Sequence, residues 1–165
     1  GRLSLVLEDH RAAGLAREAL EQAGFAAANQ GIALVRGEMD DAARVCVDHD
    51  RILQALGNLI GNALKFTPQG GRVTVSTRRR DDDVLISVAD TGPGVDAAQL
   101  PRLFDRYWQA NRRDKRGVGL GLSIVKGIME AHGGEVRVET HAGAGTTFTL
   151  VLPALVETAE QEAAG

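Results

Sequence analysis

The stretch from residue 49 to residue 65 carries two faces at once, and few folds can use both. Ile52, Leu56, Leu59, Ile60 and Ala63 recur at intervals of 4, 3, 1 and 3, which makes one apolar face of an α-helix. Gln54, Asn58, Asn62 and Lys65 recur at intervals of 4, 4 and 3 and form a polar stripe beside it. The apolar face needs a second layer to cover it, while the amide stripe has to stay open. Asparagine is a mediocre helix former, so two of them stacked one turn apart ask for a reason. A solvated polar face is one. A site for a metal–phosphate group is the other. An amide oxygen is a hard neutral ligand suited to Mg²⁺, which keeps waters and takes few protein ligands, and a lysine adds positive charge for phosphate oxygens. Gly57 and Gly61 interrupt the same helix at a cost of about 1 kcal/mol each relative to Ala. They would admit the close approach of another element.

The flanking sequence supplies the covering layer. Asp48 is the expected N-cap of this helix, and Pro68, Gly70 and Gly71 end it. Val73, Val75 and Thr77 alternate with polar neighbours as in a half-buried strand. Residues 78–83, three arginines followed by three aspartates, are the solvated tip of a hairpin whose return strand is 84–89. Upstream, residues 3–8 read as a strand, 10–28 as a helix, and 32–36 and 44–47 as short strands joined by a turn at 37–41. Downstream, 96–104 is a short helical segment, 105–118 has no clear period, and 119–131 is a helix. Strands 135–139 and 146–152 make a last hairpin. Helices mixed with antiparallel hairpins predict a two-layer α+β sandwich, a mixed and mostly antiparallel sheet with helices on one face. The expected domain is 1–153, with a frayed tail at 154–165.

Composition narrows the class. At 165 residues with 44% hydrophobic content, the chain can bury a sizeable core without disulfides. A net charge of −3 gives no global field toward nucleic acid. The lone Cys46, within Arg44-Val-Cys-Val47, reads as a small core residue in a reducing compartment. No apolar run is long enough to span a membrane. The chain opens at Gly1 in mid-pattern, which predicts a piece of a longer protein.

Twenty glycines exceed the usual share of about 7%, and several fall in three clusters. Asp90-Thr-Gly-Pro-Gly94 follows a strand; its carboxylate can accept from an amino group such as that of adenine, and Gly92 and Gly94 let backbone approach a flat ring. Gly117-Val-Gly-Leu-Gly-Leu122 fits neither the dinucleotide fingerprint nor a Walker loop, but it opens a helix whose free N–H groups can hold an anion. The segment before it, 105–116, sets five basic residues against two acidic ones, which favours a triphosphate over a neutral ligand. The third cluster, Gly143-Ala-Gly-Thr146, is by itself a hairpin turn.

Taken in order, these pieces resemble the catalytic ATP-binding domain of sensor histidine kinases, within the wider Bergerat-fold (GHKL) family shared with type II topoisomerases, Hsp90 and MutL. Asn58-Leu-Ile-Gly-Asn-Ala-Leu-Lys65 looks like the N box and Asp90-Thr-Gly-Pro-Gly94 like the G1 box. Leu103-Phe-Asp-Arg-Tyr107 is similar to the F box, Gly117 to Leu122 to the G2 box, and Gly143 to Thr146 to the last glycine box. The resemblance implies that ATP and Mg²⁺ bind here. Asn62 would be the Mg²⁺ ligand, Asn58 and Lys65 would contact phosphates, and Phe66 would pack on the adenine. Asp90 would take the adenine amine, with Gly92, Gly94 and Thr146 near the same ring. Arg116, Gly117, Gly119, Leu120, Gly121 and Leu122 would wrap the phosphates, with 95–116 as a lid.

Two departures sharpen the expectation. ATPases of the wider family carry a water-activating glutamate one turn before the metal asparagine. Position 58 is Asn, which favours phosphoryl transfer over hydrolysis. None of His10, His49, His132 and His141 has the setting of a phosphoacceptor on a dimerising helix; His132 instead reads as a helix C-terminal residue favoured by the dipole. The resemblance therefore implies a cytoplasmic kinase domain of a two-component system that lacks its own acceptor. The isolated domain would be monomeric, within a homodimeric parent in which a membrane anchor could lie outside this stretch. Its partners would be a dimerisation and histidine phosphotransfer domain and a response regulator. An anti-sigma serine kinase of the same fold, or a nucleotide-sensing module without transfer, are the alternatives.

Overall fold

The chain runs β1 (Glu8–Arg11), α1 (Ala12–Asn29), β2 (Ala33–Arg36), β3 (Arg44–Val47), α2 (His49–Phe66), β4 (Arg72–Arg80), β5 (Asp83–Asp90), a 3₁₀ helix (Ala97–Arg102), α3 (Gly121–Ala131), β6 (Glu135–Thr140) and β7 (Thr146–Pro153). This is a computed structural model, and it describes residues 4–105, 121–141 and 143–156. Five strands form one sheet in the order β2-β4-β5-β7-β6, and β1 and β3 form a separate pair. The β2–β4 contact is parallel; the other ladders are antiparallel. The expected mixed sheet with helices is therefore present.

Strand alternation decides which face the helices cover. Val73, Val75, Val84, Ile86, Val88, Phe148, Leu150 and Leu152 point inward and are buried. They share one core with Leu15 and Ala16 of α1, Ile52, Leu56, Leu59 and Ile60 of α2, and Val125, Ile128 and Met129 of α3. Their register partners one residue along face away from the helices. Ser76, Ser87, Thr149 and Arg137 lie in one row across four strands, with the Ser87 and Thr149 hydroxyls 3.0 Å apart. The two-layer arrangement follows from this division, apolar on one side and hydroxylic on the other. Leu56 and Leu59 have no exposed surface, so truncating either to Ala would cost about 2–5 kcal/mol.

Local chemistry explains the ends of α2. The Asp48 carboxylate accepts the Arg51 N–H at 3.1 Å, the expected N-cap bond. At the other end the Thr67 hydroxyl donates to the Ala63 carbonyl at 2.7 Å, and Pro68 follows.

Several expectations need correction. The first strand is Glu8–Arg11, not residues 3–8; Val6 and Leu7 are 69% and 53% exposed, so their apolar run packs against no sheet. The segments 32–36 and 44–47 are not two arms of one turn. β2 joins β4 in the large sheet and β3 joins β1 in the small one, so 37–43 is a crossing between sheets. Cys46 is exposed, because alternation on β3 sends Val45 and Val47 inward and Cys46 out. The hairpin tip is only Asp81-Asp82, since Arg80 already pairs with Asp83; Asp81 takes the left-handed φ of 54° that so tight a turn needs. The short helical segment expected near 96–104 is present, as a 3₁₀ helix over Ala97–Arg102 with Pro101 inside it. Just past Pro153 the Ala154 N–H donates to Asp82 and the Leu155 N–H to Arg44, both at 2.8 Å, while residues 157–165 of the expected tail lie outside the described residues.

Candidate functional site

The amide stripe of α2 emerges on the side of the helix away from its buried face. Asn58, Asn62 and Lys65 are half-buried and Gln54 is exposed. Asn58 donates through Nδ2 to the Gly121 carbonyl at 3.5 Å, a long bond that touches the first turn of α3. The Asn62 amide has no hydrogen bond among the described residues. Lys65 holds its ammonium 5.2 Å from the centre of the Phe66 ring, within cation–π range. Phe66 itself is 36% exposed, a large apolar ring left open at the helix end.

The end of β5 meets this helix end. A side chain at Gly92 would come within 3.1 Å of the Phe66 carbonyl oxygen, so Gly92 is the residue that lets the two segments touch. Asp90 is half-buried. Its Oδ1 accepts the Gly92 N–H at 2.9 Å and the Thr146 N–H at 3.3 Å. Both bonds fall on one oxygen, which leaves Oδ2 as the open acceptor. Burial raises the Asp90 carboxyl above its ordinary range, and the two N–H groups oppose that shift. Burial thus outweighs the two N–H donors in setting the direction of the shift.

The third glycine cluster belongs to the same corner. Gly145 has φ +95°, and a Cβ there would run into the Asp90 carbonyl oxygen. Gly94 has φ +80° and would press on the His141 carbonyl. The Gly143 N–H donates to the Pro93 carbonyl at 2.7 Å. The β6–β7 turn therefore fixes the loop that follows β5, a role the sequence left as a plain hairpin. Thr140, which the sequence reading did not single out, organises the corner. Its hydroxyl accepts the Val95 N–H at 2.7 Å and lies 3.3 Å from the Gly145 carbonyl and 3.0 Å from the Thr146 hydroxyl. A threonine closing a strand just before a glycine turn was the available signal.

The structure thus joins Asn58 to Gly121, Phe66 to Gly92, and Asp90 to Gly92 and Thr146. Gly121 and Leu122 open α3. Arg116, Gly117, Gly119, Leu120 and the stretch of the expected lid beyond residue 105 lie outside the described residues. At Gly57 and Gly61 nothing among the described residues lies within 4 Å of a Cβ built on either. The His132 Nε2 accepts the Asp48 N–H at 3.0 Å, while Nδ1 faces the Ile128 carbonyl at 2.8 Å. Both ring nitrogens are thereby held, one across to the start of α2 and one within its own helix. A concavity on the open sheet face, lined by Ser76, Ser87, Thr147 and Thr149 among others, shares no residue with this corner.

Residues 47–156 match the family described as histidine kinase-, DNA gyrase B- and HSP90-like ATPases. The chain belongs to this family. Among its relatives, the sensor protein DivL of Caulobacter vibrioides is 41% identical over 93% of this chain and 20% of its own length. The sensor-like histidine kinase SenX3 of Mycobacterium tuberculosis is 39% identical over 85% of this chain and 35% of its own. The chain therefore spans between a fifth and about a third of these relatives. Among solved structures, full-length ShkA in complex with AMPPNP superposes with a TM-score of 0.84 at 33% identity, covering 96% of this chain and 33% of that one. The GHKL fold is thereby shown for this chain, and its relatives include sensor histidine kinases.

No three His, Cys, Asp or Glu side chains gather into a metal-binding group among the described residues. A cation at this site would thus depend on the neutral amides of α2 and on whatever its ligand brings. No described helix is long and apolar enough to cross a membrane.

Proposed function

We propose that the chain binds Mg-ATP across α2, the loop after β5 and the start of α3, and passes the γ-phosphoryl group to a histidine on a separate dimerisation and phosphoacceptor domain. The observation that carries this reading is the Asp90 carboxylate. It is half-buried, pinned through Oδ1 by Gly92 and Thr146, and open at Oδ2, on the loop that meets the α2 end carrying the exposed Phe66. An exocyclic amine of adenine is the donor that such an acceptor suits, and the Phe66 ring is an apolar surface for the base. Gly92 and Gly94 act indirectly, since their missing side chains admit the Phe66 and His141 backbone that shapes this corner.

The phosphates would then lie along Asn58, Asn62 and Lys65 toward Gly121 and Leu122, with Arg116, Gly117, Gly119 and Leu120 closing over them. The Asn62 oxygen, free of any hydrogen bond within the described residues, fits Mg²⁺ that takes its other ligands from phosphates and water. Bound there, the ion would neutralise charge on the β- and γ-phosphates. In the transfer, an imidazole nitrogen of the acceptor attacks the γ-phosphorus and the bond to the bridging oxygen breaks, with ADP leaving. Asn58 offers an amide where hydrolytic relatives carry a glutamate. It cannot take a proton from water, so transfer to an enzyme-bound acceptor is favoured over hydrolysis. The phosphoryl group would go on to a response regulator, and use of cytosolic ATP implies a cytoplasmic location.

The test mixes the chain with a protein carrying the acceptor helices and γ-labelled ATP. Label on histidine, stable to base and released by acid, is the expected result; nucleotide binding with no transfer would instead favour a sensing module. Asn62→Ala and Asp90→Ala should each abolish nucleotide binding while Arg79→Ala, on the distant hairpin, leaves it unchanged. Unaltered titrations for the first two would sink the site assignment.

A further inference from the structure

α2 and α3 touch through polar groups at two points. Near the glycine-rich start of α3, Asn58 reaches the Gly121 carbonyl at 3.5 Å. At the other end, the Asp48 N–H donates to His132 Nε2 at 3.0 Å. From 48 to 58 along α2 and from 132 back to 121 along α3 are near-equal runs, each about 15 Å of helix at about 1.5 Å per residue. The helices are therefore antiparallel and pinned at both ends of one shared span. The two pins differ in quality. The Asn58 bond is at the limit of a hydrogen bond and faces the proposed phosphate site. The His132 bond has ordinary length, and the ring is locked by its second bond, Nδ1 to the Ile128 carbonyl at 2.8 Å.

Asp48 is held on every side. Its Oδ1 accepts the Arg51 N–H at 3.1 Å and its Oδ2 the Val6 N–H at 2.9 Å. Its carbonyl accepts the Ile52 N–H at 3.0 Å. Its own N–H goes to His132. One residue thus starts α2, anchors the chain ahead of β1, and receives the end of α3. Behind His132, Gly133 takes φ +70° and its N–H closes on the Glu130 carbonyl at 3.1 Å. This ends α3 and fixes the point from which the imidazole projects.

We propose that His132 is a positioning residue for the nucleotide site. By tying the end of α3 to the start of α2 it sets the register of the two helices, and so the placement of Gly121 and Leu122 against Asn58 and Asn62. The apolar contacts of Val125, Ile128 and Met129 hold the helices together but slide more easily along the axis than a fixed N–H to ring bond does. The inference rests on the nucleotide reading above.

The test compares binding of a non-hydrolysable ATP analogue with Mg²⁺, and thermal unfolding, for the full chain and three variants. His132→Ala should weaken affinity by about fivefold, the scale of one lost hydrogen-bonded constraint. His132→Gln, whose amide can both accept from Asp48 and donate to Ile128, should recover most of that loss. Val84→Ala, a buried site at the far end of β5, should lower thermal stability without moving affinity. Wild-type affinity in His132→Ala, no rescue by Gln, or an equal loss in Val84→Ala would each overturn the proposal. A wild-type chain that binds no nucleotide overturns the parent reading, and this one with it.

Discussion

Asp90 and Thr146 are register partners in the β5–β7 ladder, and the Thr146 N–H also donates to the Asp90 carboxylate at 3.3 Å. The Asp90 side chain is thus held by the strand beside it and by the glycine two residues on. Fixing one oxygen twice leaves the other aimed by geometry alone. The two N–H bonds favour the carboxylate, while burial disfavours it and outweighs them.

Asp90→Asn separates the two effects. The amide oxygen can keep both backbone N–H bonds, and the penalty for a buried negative charge disappears. The raised carboxyl means that, in the native protein, stability falls as pH rises from the ordinary 3.8 through the folded value. The variant should lose that slope and be at least as stable as wild type at neutral pH. Its second amide atom is a donor facing the donor of adenine, so nucleotide affinity should drop by about 100-fold, in line with an unpaired polar group in a site built to bond. Thermal unfolding across pH and an ATP titration check the pair; retained binding would remove Asp90 from the adenine contact.

Gly145→Ala tests whether the β6–β7 turn shapes the carboxylate. The position needs φ +95°, and a Cβ would strike the Asp90 carbonyl. Strain and overlap together should cost more than about 1 kcal/mol and should weaken nucleotide binding as β5 shifts. Gly143→Ala shares the positive φ but meets nothing within 4 Å. It should lose some stability and keep its affinity. Urea unfolding and titration of both variants decide between strain alone and displacement of Asp90.

What the sequence revealed and what it hid divide along one physical line. Periodicity located α2 and the inward face of β4, because burial imposes a repeat on neighbours in the chain. Asp48 as N-cap was legible for the same reason, its partner Arg51 being three residues away. The partners of β2 and β3, the exposure of Cys46, and the bonds of Thr140 and His132 were not legible. Each depends on a contact distant in sequence: His132 to Asp48 spans 84 residues and Val95 to Thr140 spans 45. Asp90 falls between the two cases. Its glycine neighbours marked a turn, but only the β5–β7 register showed which oxygen stays open.

His49 predicts a pH dependence of the opposite sign to that of Asp48. Its Nε2 meets Glu18 of α1 at 2.8 Å and its Nδ1 meets Asp50 at 2.9 Å, while the His10 ring, itself near Glu8, lies 5.4 Å away. Glu18 first, then Asp50, raise the His49 imidazole above its ordinary 6.5. The cation is favoured by folding, so this stabilisation is complete below 6.5 and fades as pH rises through the folded value. Asp48 is lowered, by the Val6 N–H first and then by Arg51; its contribution is present above 3.8 and fades as pH falls through the folded value. The His49 pair is partly exposed, so its worth is at most about 1 kcal/mol. Glu18→Gln should flatten the slope of stability against pH near and above neutrality, with the acid limb unchanged. An identical slope in the variant would show that another group titrates there.

Gly57 and Gly61 give the sharpest test of what covers α2. Both are exposed, and nothing among the described residues lies within 4 Å of a Cβ built on either. With the space open and the backbone helical, Gly57→Ala and Gly61→Ala should each stabilise the chain by about 1 kcal/mol through helix propensity. If that face also stays open when nucleotide binds, ATP affinity is unchanged and the double variant is simply more stable. If it is covered in the bound state, the methyl groups obstruct closure and affinity falls while apo stability still rises. Measuring thermal midpoints with and without Mg-ATP separates the outcomes. A gain without nucleotide that shrinks or reverses with it would mean that the two glycines are kept for the closed site. Equal gains in both states would mean that they serve neither packing nor binding here.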